Sequence, residues 1–284
     1  MVKKQSHYKA WIYLAQTWKK YVMPPSRPCK TQLKIWDKII KEKARKSKEP
    51  RALVLGATPE LRDLCLKNNF KTTVCDINPT MVKGMTNLMK HKNDPREEII
   101  IGDCLKVNFL NNSFDIVMED AFLNQILNVK DVTRLVGKIY YTLKPDGLFL
   151  AREIVRISLE PVIKGGGWIK WFKKYKKDKM TNTDLYSFYK YQSDANLYPE
   201  SPSIADVPLM FKKVDELSQQ ERGLKDFINW LDKVLGRKSK PALIFLKKDL
   251  EKLLEKYFKL LPIKQCRDNK FCRYTPLILA KPKK

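Results

Sequence analysis

Five short apolar stretches, separated by segments with helical spacing, occupy residues 51–153 and constrain the fold more than any other feature. The stretches are ALVLG (52–56), KTTVCD (71–76), EEIIIGD (97–103), FDIVMED (114–120) and LFLARE (148–153). In the segments after the first, second and fourth stretches, apolar residues recur every three or four positions, which is typical of amphipathic helices. Thr58 can cap the first of these helices, with Pro59 and Glu60 in its first turn, and Asn78 can cap the second. The run KPDG (144–147) predicts a turn before the last stretch. Strands alternating with helices at this spacing predict an α/β fold with a doubly wound, mostly parallel sheet.

Two further strands are predicted near the end of the chain, within residues 257–281, as an antiparallel hairpin that brings the sheet to seven strands. We therefore assign the core domain to residues 50–153 and 248–284. Residues 1–49 are predicted to form an N-terminal helical lid segment, in which apolar residues at helical spacing predict a helix at 7–22. Residues 154–247 are predicted to be a mostly helical lid inserted between strands five and six, because the strand–helix alternation stops there.

The net charge of +26 over 284 residues raises the possibility of a polyanionic partner such as nucleic acid. Only 12 of the 57 basic residues are arginine, the residue better suited to bidentate phosphate and base contacts. Nucleic acid is therefore kept as a possible partner, not as the favoured one. No apolar run approaches the roughly 18 residues that span a bilayer, so we expect no membrane span and a cytoplasmic location. The sequence leaves the oligomeric state open.

Six cysteines are present, none in a CxxC pair, and the two histidines have no cysteine at ligand spacing. This local spacing predicts reduced thiols and no metal site.

Polar residues stand at four successive strand ends. Gly56 ends the first strand, Asp76 ends the second 20 residues later, Asp103 follows the third, and Glu119 and Asp120 end the fourth. The carboxyl ends of parallel strands meet at one edge of a sheet, and ligands bind there where the strand order reverses. An acid at the end of the second strand can accept hydrogen bonds from ribose hydroxyls. The GxGxxG motif of nicotinamide dehydrogenases is absent from the first turn.

The order GATPEL, CDINPTM, GDC, FDIVMEDAFLN and KPDGLFLARE resembles the class I S-adenosylmethionine-dependent methyltransferases, with a reduced first motif at GATPEL. The resemblance covers residues 50–153 and the closing hairpin. It implies S-adenosylmethionine as cofactor and S-adenosylhomocysteine as product. It also implies that Asp76 binds the ribose, that Asp103 binds the adenine amino group, and that Glu119 lies beside the sulfonium. The full implied cofactor-binding set is Gly56, Ala57, Thr58, Asp76, Ile77, Asp103, Cys104 and Glu119.

The methyl acceptor is inferred less directly. Methyl transfer mainly requires alignment, and a base only if the nucleophile starts protonated. Asp120, Glu119 and the strand-end pair Arg152–Glu153 are placed to face the pocket, and Asp120 and Glu119 are the candidate catalytic residues. No DPPY-type or NPPY-type run follows the fourth strand, and the segment 154–247 resembles the lids of small-molecule methyltransferases, so a small-molecule acceptor is favoured. The lysine-aromatic tract at 165–179 keeps an RNA methyltransferase open as an alternative. A non-catalytic cofactor-binding or scaffold protein is the third possibility.

Overall fold

The computed structural model describes residues 27–159, 200–204, 223–227, 241–268 and 272–284, with isolated positions between 169 and 229. The predicted helix at residues 7–22 and the tract at 165–179 fall outside these ranges, apart from two isolated positions in the tract.

A seven-stranded sheet forms the centre of the protein, as predicted, with strand order β3-β2-β1-β4-β5-β10-β9. Its strands are β1 (Arg51–Leu55), β2 (Lys71–Asp76), β3 (Glu97–Ile101), β4 (Phe114–Asp120), β5 (Leu143–Arg152), β9 (Phe258–Leu261) and β10 (Leu277–Pro282). The first five are mutually parallel, and β10 is antiparallel to both β5 and β9. The described helices are α1 (Lys30–Ala44), α2 (Pro59–Lys67), α3 (Pro79–Thr86), α4 (Val129–Thr142) and α5 (Lys247–Leu254). The mostly parallel doubly wound class and the closing antiparallel hairpin are thereby confirmed.

Alternation along the strands creates two apolar cores. In β1, Leu53 and Leu55 belong to a core that includes residues of α4 and α5. Ala52 and Val54 belong to a second core with residues of α1 and α2. Because successive side chains point to opposite faces of a strand, an uninterrupted apolar run is buried on both sides. Because the helices cover both faces of the sheet, the loops that carry functional side chains lie at the carboxyl ends of the strands.

A buried ion pair fastens α2 to the outermost parallel strand. The Arg62 guanidinium donates to both carboxylate oxygens of Glu97, at 2.8 and 2.6 Å, and to the Thr86 hydroxyl at 2.8 Å. The Arg62 and Glu97 side chains are 0% and 5% exposed. A buried charge is tolerated only with a partner of this geometry, so Glu97 is a structural residue of the sheet edge.

The predicted turn at residues 144–147 lies inside β5. Leu143 pairs with Phe114 and Leu148 pairs with Ile116, so the chain makes an excursion between two paired stretches. Lys43 of α1 donates to the backbone and carboxylate of Asp146 in this excursion. The strand therefore begins before the turn that the sequence indicates.

Three short strands at the described parts of the insertion were not predicted. They are β6 (Val155–Arg156), β7 (Ser203–Ile204) and β8 (Leu243–Leu246), arranged in the order β6-β8-β7. The Asn124 amide group donates to the carbonyls of Ile154 and Leu243, at 3.1 and 2.8 Å. The chain therefore leaves the core and returns to it at neighbouring points beside the end of β4.

Within the described ranges, no helix has the length and apolar character needed to cross a membrane.

Candidate functional site

The carboxyl ends of β1 and β4 lie side by side at the middle of the sheet. From β1 the chain proceeds outward to β2 and β3, and from β4 it proceeds in the opposite direction to β5. This reversal is the position at which open α/β sheets bind ligands. The residues singled out in the sequence all follow strands on this edge, so the structure brings them to one side of the sheet.

The turn after β1 needs glycine. Gly56 has a φ of 82°, in the left-handed region that side chains with a Cβ disfavour. A Cβ at this position would also lie 3.1 Å from a ring carbon of Phe122. The backbone is held by the Gly56 N–H, which donates to the Cys75 carbonyl at 2.9 Å. The lack of a Cβ thus lets the Phe122 ring pack against this turn.

Helix α2 starts without the side-chain cap that the sequence suggested. Thr58 occupies the N-cap position, but its side chain makes no capping hydrogen bond, so that prediction is wrong. Ala57 is buried. The expected first-turn proline and acid, Pro59 and Glu60, are present as predicted.

Asp76 is the last residue of β2, and Ile77 follows it in a compact turn. One Asp76 carboxylate oxygen accepts the Asn78 backbone N–H at 2.8 Å. The Asn78 side chain in turn accepts the Met81 N–H at 3.0 Å, the predicted cap of α3. Ile77 is 61% exposed, which places an apolar side chain in solvent directly beside the Asp76 carboxylate.

Asp103 and Cys104 follow β3. One Asp103 carboxylate oxygen accepts the Leu105 N–H at 3.0 Å, which orders the start of this loop. The Cys104 carbonyl accepts from the Lys138 ammonium group at 3.0 Å. Burial raises the pKa of the Cys104 thiol to about 12, so at neutral pH this side chain is a small apolar wall and not a nucleophile.

Two buried glutamates lie against each other beneath the turn that follows β4. Glu119 accepts the Phe122 N–H at 2.7 Å, and Glu153 accepts the Leu123 N–H at 3.0 Å. Each carboxyl group keeps one oxygen, Glu119 Oε1 and Glu153 Oε2, without a hydrogen-bond partner in the described part of the chain. Burial raises the pKa of both groups. Two carboxyl groups buried this close together favour sharing a proton, because two adjacent buried negative charges repel each other.

Asp120 is committed to an ion pair. Its carboxylate accepts from the Arg152 guanidinium at 2.5 Å, and both side chains are almost fully buried. Burial raises the pKa of Asp120, and Arg152 opposes that shift. A second ion pair at this edge joins Arg27 to Glu60 at 2.6 Å.

The shared proton makes the stability of the glutamate pair depend on pH. Because folding raises both pKa values, the folded protein binds more protons than the unfolded chain above the ordinary glutamate pKa of 4.5. Stability should therefore fall as the pH rises through that value and beyond. In Glu153→Gln, an amide N–H permanently replaces the shared proton. We expect the melting temperature of this variant to fall less between about pH 5 and about pH 8 than that of the wild type.

Glu98→Gln is the matched control for this pH experiment, because Glu98 is an exposed glutamate in β3. It should leave the wild-type pH dependence unchanged. If the melting temperatures of wild type and Glu153→Gln fell equally with rising pH, this would contradict a shared proton.

Sequence patterns missed several members of this edge. Phe122 covers Gly56, and Arg27 reaches Glu60 from a segment outside the predicted core. Glu153, in contrast, was a candidate from the sequence because it stands at a strand end. The pairing of Glu119 with Glu153 depends on β4 and β5 being neighbours, which the sequence alone does not state.

Comparisons with known proteins agree on one fold. Residues 55–151 match the family model described as a methyltransferase domain. Demethylmenaquinone methyltransferase of Leptospira interrogans is 29% identical over 101 residues, which are 35% of this chain and 36% of that protein. The chain thus matches little more than a third of the length of that curated relative.

Two solved structures align with nearly the whole chain. The N-methyltransferase NodS of Bradyrhizobium japonicum, in complex with S-adenosyl-l-homocysteine, has a TM-score of 0.53 and 9% identity, covering 98% of this chain and 99% of that one. The 1,6-didemethyltoxoflavin-N1-methyltransferase of Burkholderia thailandensis has a TM-score of 0.54 and 9% identity, covering 99% and 89%. At 9% identity, these two structures establish only that the fold is shared.

Proposed function

We propose that this chain is a class I S-adenosylmethionine-dependent methyltransferase that transfers a methyl group to a small-molecule acceptor. The match of residues 55–151 to a methyltransferase domain and the fold shared with solved methyltransferases support the proposal. The observation that carries the proposal is the set of polar groups on one sheet edge. A glycine turn, two acidic turns and a buried acidic pair follow four successive strands around the point where the strand order reverses.

The turns after β1, β2 and β3 supply the groups that the cofactor would need. Asp76 would accept hydrogen bonds from the ribose hydroxyls, and the exposed Ile77 would cover one face of the adenine. Asp103 would accept from the adenine amino group, beside the neutral Cys104 wall. The backbone of residues 56–58 would lie under the methionine portion, where the lack of a Cβ at Gly56 permits close approach.

The electrostatics of the edge suit a cation. Asp120 and Arg152 neutralise each other, as do Glu60 and Arg27. The Glu119–Glu153 pair is acidic and buried, and charge interactions are stronger in a buried setting than in water. The bound cofactor supplies an electrophilic methyl group on a positively charged sulfur. Glu119 and its partner would stabilise that charge and hold the Phe122 turn over the cofactor.

The catalytic assignment of Asp120 and Glu119 as proton acceptors stays a prediction. Their contacts support positioning more strongly than proton transfer, because Asp120 is bound to Arg152 and Glu119 is 0% exposed. Catalysis would then come mainly from alignment of the acceptor with the methyl group in a site from which water is excluded.

A small-molecule acceptor is supported by the position of the insertion. Residues 154–247 leave and re-enter the core beside the end of β4, where Asn124 bonds both ends of the segment. A lid at that place would cover the acceptor side of the cofactor. The curated relative, a demethylmenaquinone methyltransferase by name, fits the same class of acceptor. The RNA and scaffold alternatives, the lid role of residues 1–49 and the cytoplasmic location stay predictions.

Cofactor binding tests the proposal directly. Titration calorimetry should show S-adenosylmethionine and S-adenosylhomocysteine binding with a dissociation constant on the order of micromolar, about −8 kcal/mol, and no measurable heat with NAD. Preferential binding of NAD would overturn the family assignment of the site. Binding of neither cofactor by the folded protein would favour the scaffold alternative.

A further inference from the structure

Three cysteines that are far apart in the sequence meet in the fold. Cys29 precedes α1, whereas Cys266 and Cys272 lie in the connection between β9 and β10. The Cys266 sulfur is 3.1 Å from that of Cys29 and 2.9 Å from that of Cys272. All three sulfur atoms lie within 4.8 Å of one another, and all three residues are buried. The expectation of no metal site rested on local spacing, which could not reveal this cluster.

The geometry of the cluster is not that of ordinary packing. Non-bonded carbon atoms sit about 3.5–4.0 Å apart, and sulfur is the larger atom, so these contacts are unusually close. A disulfide would join only two of the three residues, at about 2.05 Å. Three converging sulfurs match a thiophilic cation, because thiolate ligands select metals such as zinc. In a tetrahedral zinc site with Zn–S bonds of about 2.3 Å, the sulfur atoms are roughly 3.8 Å apart. The two close sulfur pairs of this cluster would therefore have to separate by less than about 1 Å to hold the ion.

A candidate fourth ligand lies two residues after Cys266. Asp268 is exposed, and its carboxylate lies outside the group of atoms within 4.8 Å of one another, so it would have to turn toward the three sulfurs to reach an ion. Its backbone N–H donates to the Cys266 sulfur at 3.4 Å. Aspartate oxygen is an established zinc ligand, and four protein ligands make a closed, structural site. Cys29 is also the N-cap of the 15-residue helix α1.

We propose that Cys29, Cys266 and Cys272, with the Asp268 carboxylate, bind a structural zinc ion. The ion would fasten the segment before α1 to the β9–β10 connection. The same junction carries a hydrogen bond from the Gln32 amide to the Thr275 carbonyl at 3.0 Å. Two residues before Cys29, Arg27 pairs with Glu60 at the start of α2, so the ion would also steady a residue at the edge of the candidate site.

Metal analysis of the whole chain tests the proposal independently of methyl transfer. Protein purified under reducing conditions should retain about one zinc ion per chain after gel filtration. Replacement of zinc by Co²⁺ should produce thiolate-to-metal charge-transfer absorption and the visible bands of a tetrahedral site. Chelation should lower the melting temperature, and restored zinc should recover it.

Variants locate the ion. Cys266→Ser and Cys272→Ser should lose the bound metal and the Co²⁺ spectrum, whereas Asp268→Asn should weaken binding without abolishing it. Cys65→Ala is the matched control, because Cys65 is a buried cysteine that contacts Met118 and lies outside the cluster; it should keep a full equivalent of metal.

Three outcomes would overturn the proposal. One is wild-type protein that neither retains zinc nor gives a tetrahedral Co²⁺ spectrum. Another is zinc that persists unchanged in the folded Cys266→Ser and Cys272→Ser variants. The third is a mass increase corresponding to only four alkylated cysteines in freshly denatured, unreduced protein, which would show a disulfide among the six.

Discussion

Glu97→Ala should lower the free energy of unfolding by about 3–5 kcal/mol, the cost of leaving a buried charge without its partner. Arg62 is fully buried, and two of its nitrogen atoms donate to the Glu97 carboxylate. Because small domains are stable by only about 5–15 kcal/mol, this single change should approach the limit of folding. Urea denaturation followed by circular dichroism measures the effect.

Glu49→Ala is the matched control, since it also removes a glutamate from an ion pair. Glu49 and Lys71 are 3.5 Å apart with side chains 77% and 62% exposed, and such pairs contribute little. The double variant Arg62→Met, Glu97→Met should recover most of the stability, because apolar residues of similar volume replace a buried pair well. A Glu97→Ala cost no larger than that of Glu49→Ala would contradict the structural role of the pair.

The central sheet could be predicted because its signals are local. Each strand is a run of mostly apolar residues ended by glycine, as in β1, or by an acidic residue, as in β4, and each run predicts burial without knowledge of its neighbours. The excursion at residues 144–147 shows the limit of such signals. Its turn residues are visible in the sequence, but the pairing of Leu143 with Phe114 on the far side of the turn is not.

The candidate site was predictable to the same extent. The positions of Asp76, Asp103 and Glu119 at strand ends follow from the strand pattern. The pairing of Glu119 with Glu153 and of Asp120 with Arg152 requires β4 and β5 to be adjacent. The cysteine cluster requires contact across 237 positions of sequence. Long-range contacts of this kind leave no periodic trace, so local patterns could not predict them.

Asp76 is the residue on which the proposed cofactor site depends most. If its carboxylate accepts both ribose hydroxyls, Asp76→Ala removes two hydrogen bonds to a charged group, each of the stronger kind. We expect a loss of about 2–3 kcal/mol in binding free energy, or roughly 30-fold to 150-fold weaker binding of S-adenosylhomocysteine. Titration calorimetry measures this loss.

A second substitution separates ribose binding from the local fold at Asp76. The same carboxylate accepts the Asn78 backbone N–H, so alanine also disturbs the turn before α3. Asp76→Asn keeps a side-chain oxygen for Asn78 but loses the charge and one acceptor. It should therefore bind the cofactor with an affinity between those of wild type and Asp76→Ala, while its melting temperature stays close to that of wild type. Wild-type affinity in a folded Asp76→Ala protein would place the ribose elsewhere. Equal losses of stability and affinity in Asp76→Ala, with Asp76→Asn unaffected in both, would show that the turn, and not the ribose contact, is what Asp76 provides.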